Sequence, residues 1–209
     1  MWLNLHLDMA QSSVNSFIPE ASKVLVQELL EFAELTVEVV SKRVTRHGDY
    51  RQLTNGSHII TINESKNTYR FLLTLIHEIA HFYAFVNHGR SIKPHGLEWK
   101  NTFKQLMLPF LTIEVFPERI VKPLAIYLKN PKASSDSDLS LTLALKSYDP
   151  PNKKKYIFEL PMGSRFKTER GRIFVLCKKR RKRYLCKEVD GGRTYLFQPH
   201  VSVDLLNYQ

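Results

Sequence analysis

His77-Glu78-Ile79-Ala80-His81 lies within a strongly apolar segment running from Tyr69 to about Asn87, and it is followed by Pro94-His95-Gly96-Leu97-Glu98-Trp99. Histidines four residues apart on a helix project from nearly one face, with Cβ atoms about 5–6 Å apart. That separation suits two corners of a zinc tetrahedron, and a glutamate beside the first histidine is the residue type that serves as general base in zinc hydrolases. A third histidine on a loop completes a three-nitrogen site and leaves the fourth position open. His95 is a better third ligand than His88. His88 stands seven residues beyond His81 on the same helix, about 10 Å along its axis, whereas a loop residue can fold back. Polar groups buried without partners cost several kcal/mol each, so two imidazoles and a carboxylate in this setting are best explained by a metal.

Working outward, the Tyr69–Asn87 segment is apolar nearly all round and predicts a buried central helix, with Asn67-Thr68 as its cap and Gly89 as its stop. Upstream, Thr36–Val40 and Ser57–Asn63 alternate with β-branched residues and read as strands, with Arg46–Arg51 as a further strand or hairpin edge. Asn55-Gly56 is the turn before the last of these. Pro19 opens a helical pattern with Leu25, Leu29 and Phe32 on one stripe. Downstream, Leu97–Met107 reads as a helix stopped by Pro109. Residues 110–150 carry no readable chemistry, and 130–140 have linker composition. Tyr156–Leu160, Arg172–Leu176, Arg183–Cys186 and Thr194–Phe197 then look like short strands punctuated by Gly163, Gly191 and Gly192. The expectation is an α+β protein: a helix-rich domain with a small β-sheet over residues 1–130, a linker over 131–150, and a small all-β module over 151–209.

Hydrophobic residues make up 43% of the 209, a globular and not a disordered composition. Polar residues interrupt every apolar stretch before 18 residues, so no transmembrane helix and no membrane partner are expected. Met1–Asp8 lacks a basic region followed by an apolar one, so no secretory signal is expected, and two cysteines make no disulfide framework; a reducing cytoplasm is the default. Charge is unevenly placed. Residues 1–150 hold 16 Lys and Arg against 15 Asp and Glu, whereas 151–209 hold 15 against 5. Nearly all the excess belongs to the C-terminal part, which points to a polyanionic partner. Its densest run is Lys178-Lys179-Arg180-Arg181-Lys182-Arg183, with Lys153-Lys154-Lys155 upstream. Phosphate contacts by such clusters are sequence-independent and salt-sensitive. Interleaved Phe174, Tyr184, Tyr195 and Phe197 either stack on exposed bases or form the module's core, and the second reading is the better one for most of them.

His77-Glu78-Ile79-Ala80-His81 together with His95-Gly96-Leu97-Glu98-Trp99-Lys100 resembles the SprT-like zinc metalloprotease family, which includes bacterial SprT proteins and the Spartan proteases. The resemblance covers about residues 17–110, including the preceding helix, hairpin and Ile60–Asn63 strand. It implies a zincin-like helical metalloprotease core, one zinc per chain held by His77, His81 and His95, and Glu78 as catalytic base. It also implies protein substrates associated with or crosslinked to DNA; the partner expected for the basic C-terminal module is single-stranded DNA or damaged duplex, and the place expected in a bacterium is the nucleoid. Many relatives carry a zinc ribbon with two C-x-x-C pairs. Here Cys177 and Cys186 stand singly, with eight residues between them, so a four-thiolate site is impossible within one chain. The expectation is a degenerate, ribbon-like β module without metal. An intact Glu78 favours a hydrolase over the alternative, a nucleic-acid-associated protein that contains zinc and has little proteolytic activity.

Overall fold

The computed structural model describes residues 14–31, 35–41, 43 and 46–206; Phe32 and the N-terminal stretch Met1–Asp8 lie outside them. The chain divides into two compact units. The first comprises Met1–Ser135 and Ala144–Asp149, and the second Asp136–Leu143 and Pro150–Gln209.

In the first unit, Ser22 closes a short 3-10 turn after Pro19 and leads into helix α1 (Lys23–Leu30). Strands β1 (Leu35–Val40), β2 (Gly48–Gln52) and β3 (His58–Asn63) form a sheet in the order β1-β3-β2, with β1 parallel and β2 antiparallel to β3. The two edges differ from the centre as their positions require. β1 begins with a buried–exposed alternation, while every residue of central β3 except Ile59 is buried. The β2–β3 turn is the Asn55-Gly56 turn expected from the sequence: Gly56 has φ 91°, and the Asn55 side-chain oxygen accepts from the Ser57 amide at 3.1 Å.

Helix α2 (Thr68–His88) is the central element, with ten of its residues buried. The Asn67 side-chain oxygen accepts from the Arg70 amide at 3.0 Å to cap it, and Gly89, in the left-handed region at φ 76°, ends it. Helix α3 (Leu97–Met107) packs against α2 and buries Trp99, Phe103 and Met107, a stripe at intervals of four. Helix α4 (Glu118–Leu128) was not expected, because Pro123 lies inside it and proline ordinarily breaks a helix. It forms through burial of Ile120, Leu124, Tyr127 and Leu128.

The segment expected as linker is partly helical: helix α5 (Leu139–Lys146) spans residues of both units and buries Leu141, Ala144 and Leu145. Asn67 reaches the end of this segment. Its side-chain amide donates to the Leu145 carbonyl at 2.8 Å and to Asp149 Oδ1 at 2.6 Å. Asn67→Ala therefore removes a helix cap and one of the two donors to the Leu145 carbonyl, which keeps the Tyr148 amide at 3.0 Å, and is expected to cost roughly 1–3 kcal/mol, read by urea unfolding.

The second unit is an antiparallel six-stranded sheet, ordered β4-β9-β5-β6-β7-β8. Its strands are β4 (Lys155–Tyr156), β5 (Arg165–Lys167), β6 (Ile173–Arg180), β7 (Arg183–Glu188), β8 (Thr194–Phe197) and β9 (Ser202–Leu206). The strand expected over Tyr156–Leu160 stops after Tyr156. The Glu159 carboxylate accepts from the Tyr156 amide at 2.6 Å and turns residues 157–159 into a 3-10 turn. Strands β5 and β9, absent from the sequence reading, enlarge the expected ribbon to six strands around Ile157, Phe166, Phe174, Leu176 and Val203. The protein is thus α+β, with a three-stranded sheet among helices and a separate all-β sheet towards the C-terminus. No helix among the described residues is long and apolar enough to cross a membrane.

Candidate metal centre

His77 and His81 project from one face of α2, and the loop after Gly89 brings His95 against them. Nε2 of His95 lies 3.1 Å from Nε2 of His77 and 3.0 Å from that of His81. The loop achieves this with a tight turn: the Gly96 amide donates to the Lys93 carbonyl at 2.8 Å, and His95 itself takes φ 58°, a left-handed conformation uncommon outside glycine. A Cβ at Gly96 would lie 2.9 Å from the Lys93 carbonyl oxygen, so the turn needs glycine there. His88, the competing third ligand, is exposed at the helix end and takes no part.

Trp99 is the floor of the centre. Fully buried, its ring lies 4.6 Å from that of His77, 5.2 Å from His81 and 4.7 Å from His95. Its indole N–H donates to the His77 carbonyl at 3.4 Å, and Phe103 stacks beneath it at 5.0 Å. The packing stripe expected from Trp99 and Phe103 therefore also fixes the planes of three imidazoles.

Strand β2 forms the other wall, and the sequence reading had not singled out its residues. Tyr50 packs on Phe82 and Phe85, its ring runs parallel to that of His81 at 6.5 Å, and its hydroxyl lies 2.8 Å from Nδ1 of buried His58. Burial pushes the Tyr50 phenol up to about 12. Glu78, only 7% exposed, turns from α2 towards Gly48 at the start of β2. The one signal in the sequence for this wall is a glycine within a strand, which often marks a close approach. Tyr83 is turned away, its hydroxyl donating to the Leu29 carbonyl at 3.1 Å.

Burial sets the electrostatics. It lowers His77 to about 3 and His81 to about 4, helped by repulsion among the three imidazoles, and it lowers His95 as well. The rings are held neutral, the form that ligates metal. Glu78 is pushed up to about 8, chiefly by burial and then by Asp49, while Arg43 and Arg46 pull it down.

The three nitrogens fit a metal better than they fit one another. A neutral imidazole carries a single N–H, so one proton on His95 Nε2 cannot serve both neighbours. A tetrahedral zinc with bonds of about 2.0–2.1 Å to nitrogen needs ligands a little over 3 Å apart, close to the observed separations. Among the described residues, His77, His81 and His95 are the group of metal-ligating side chains that converges, their ligand atoms all within 4.8 Å of one another.

The basic run lies elsewhere, on the β6–β7 hairpin. Lys178, Lys179 and Arg180 end β6, Arg181 and Lys182 make the turn, with Arg181 at φ 46°, and Arg183 begins β7; all six are exposed. Phe174 and Tyr184 are core residues, with Tyr195 and Phe197 packed against them, so these aromatics hold the module together. Cys177 is exposed and Cys186 buried.

No curated protein and no solved structure matches the chain significantly. A family model does: the SprT-like family matches residues 14–116, which contain the three histidines, Glu78, β2 and Trp99. Through these residues the chain belongs to the SprT-like family.

Proposed function

We propose that this chain is a zinc-dependent metallopeptidase that acts on proteins associated with or crosslinked to DNA. The observation that carries the reading is the convergence of three neutral imidazoles, with a buried glutamate next in sequence to the first of them and outside the converging set. Membership of a family often linked to metalloprotease function supports it. His77, His81 and His95 would hold one zinc ion, which when bound supplies Lewis-acid activation of water and polarisation of a carbonyl. The protein's own part follows from its geometry. Trp99 keeps the imidazole planes in place, and the apolar neighbours exclude bulk water. Glu78 takes the proton of the attacking water at a carboxylate oxygen and returns it to the leaving amine.

The exposed Lys178–Arg183 hairpin is the proposed contact with the DNA phosphates, single-stranded or in damaged duplex, in the cytoplasm and, in a bacterium, at the nucleoid. Its six cations allow a prediction. Replacing all six with glutamine should flatten the slope of log affinity against log salt on duplex DNA by roughly 3–5, measured by fluorescence anisotropy. An unchanged slope would make the run a solvated face only. The reading as a whole is tested on a protein covalently attached to DNA, comparing wild type with Glu78→Ala at matched zinc content. Absence of cleavage by both would leave a zinc-containing binding protein as the better description.

A further inference from the structure

Gly48 and Tyr50 stand two residues apart on the face of β2 that meets α2. Gly48 pairs in register with Ile62, and its φ is not in the left-handed region. Nothing in the backbone asks for glycine at this position, and glycine inside a strand is disfavoured against residues with a side chain. The requirement comes from across the gap. A Cβ on residue 48 would lie 2.7 Å from both Cγ and Oε1 of Glu78 and 3.0 Å from its Cδ. Real Cβ atoms do not approach so closely, so one partner would have to move. The strand is poorly placed to withdraw, because Tyr50 is wedged against Phe82 and Phe85 of the helix and tied through its hydroxyl to His58. The clash would therefore fall on the carboxylate.

We propose that Gly48 is a positioning residue for Glu78: the absent side chain leaves the space in which the carboxylate is held. This inference rests on the reading of Glu78 as general base. Displacement of a reacting group by about 1 Å can cost about 10²-fold in rate, so Gly48→Ala should lower kcat by about that factor. KM and the binding of one zinc per chain should stay at wild-type values, since no ligand or substrate contact is removed.

The contact is read independently of activity by thermal unfolding of four proteins: wild type, Gly48→Ala, Glu78→Ala and the double variant. Gly48→Ala should lower the melting temperature in the wild-type background and raise it or leave it unchanged once Glu78 is alanine, a difference of roughly 3 °C or more. Equal shifts in both backgrounds, or an unchanged kcat, would overturn the proposal. If Glu78→Ala retains full activity, the base reading falls, and the proposal falls with it even where the two positions prove coupled in stability.

Discussion

Glu78→Ala is expected to lower kcat at least about 10³-fold, towards the upper part of the range for loss of a general base, while zinc binding stays at one ion per chain. The expectation rests on what Glu78 does and does not touch. It is not among the converging ligand atoms, so its removal leaves the nitrogen set intact. It is nearly buried, and burial pushes its carboxyl up to about 8, which means that the folded chain disfavours its charged form. The group therefore contributes stability at low pH that is lost as pH rises from about 4.5 through about 8. Replacing it should not destabilise the neutral-pH protein; activity falls and stability does not. A variant that lost cleavage together with its fold would indicate a packing role instead. The measurements are single-turnover cleavage of a DNA-linked protein, metal analysis and thermal unfolding on the same preparations.

His77→Ala is the second large effect. With one nitrogen gone, two ligands remain, and zinc affinity should fall by at least about 10²-fold, with cleavage lost in proportion. Isothermal titration with zinc reads the first and the cleavage assay the second. The His77 ring also packs on Trp99 at 4.6 Å, so some packing is lost as well. His77→Gln, nearer in volume, separates the two effects. It should restore melting temperature and leave zinc binding weak. Acid should imitate the loss. Burial holds His77 near 3 and His81 near 4, below their ordinary value of 6.5. In chelator-treated protein these imidazoles contribute stability that is present above about 6.5 and is lost as pH falls towards about 3. Melting temperatures of that protein should therefore decline steadily between pH 6.5 and 4, and less steeply in His77→Gln.

The histidine constellation was readable because its information is local. His77, Glu78 and His81 occupy little more than one helical turn, and Asn67 and Gly89 mark where that helix begins and ends. His95 lies outside the turn but within one loop, close enough in sequence for the choice over His88 to be made on reach alone. The wall opposite was not readable in the same way. Gly48 and Glu78 are thirty residues apart, and only the packing of β2 against α2 brings them together. Tyr50 and His58 read as ordinary residues of strands for the same reason. Helix α4 was hidden by Pro123, whose local preference is outweighed by burial of four side chains. In the β module the hairpin strands were legible from their apolar alternation. The Glu159 side chain stopped the first strand through a single hydrogen bond that no residue pattern announces.

The bonds from Asn67 to Leu145 and Asp149 bear on how this protein could be shortened. The chain passes from one unit to the other after Ser135, again after Leu143, and once more after Asp149. A stop codon at the end of the family match would discard the residues that brace the start of the histidine-bearing helix. A stop after residue 149 would keep them but leave an orphaned piece of the other unit behind. A cut at any single one of these three points divides one unit or the other, because the two are interlaced in sequence.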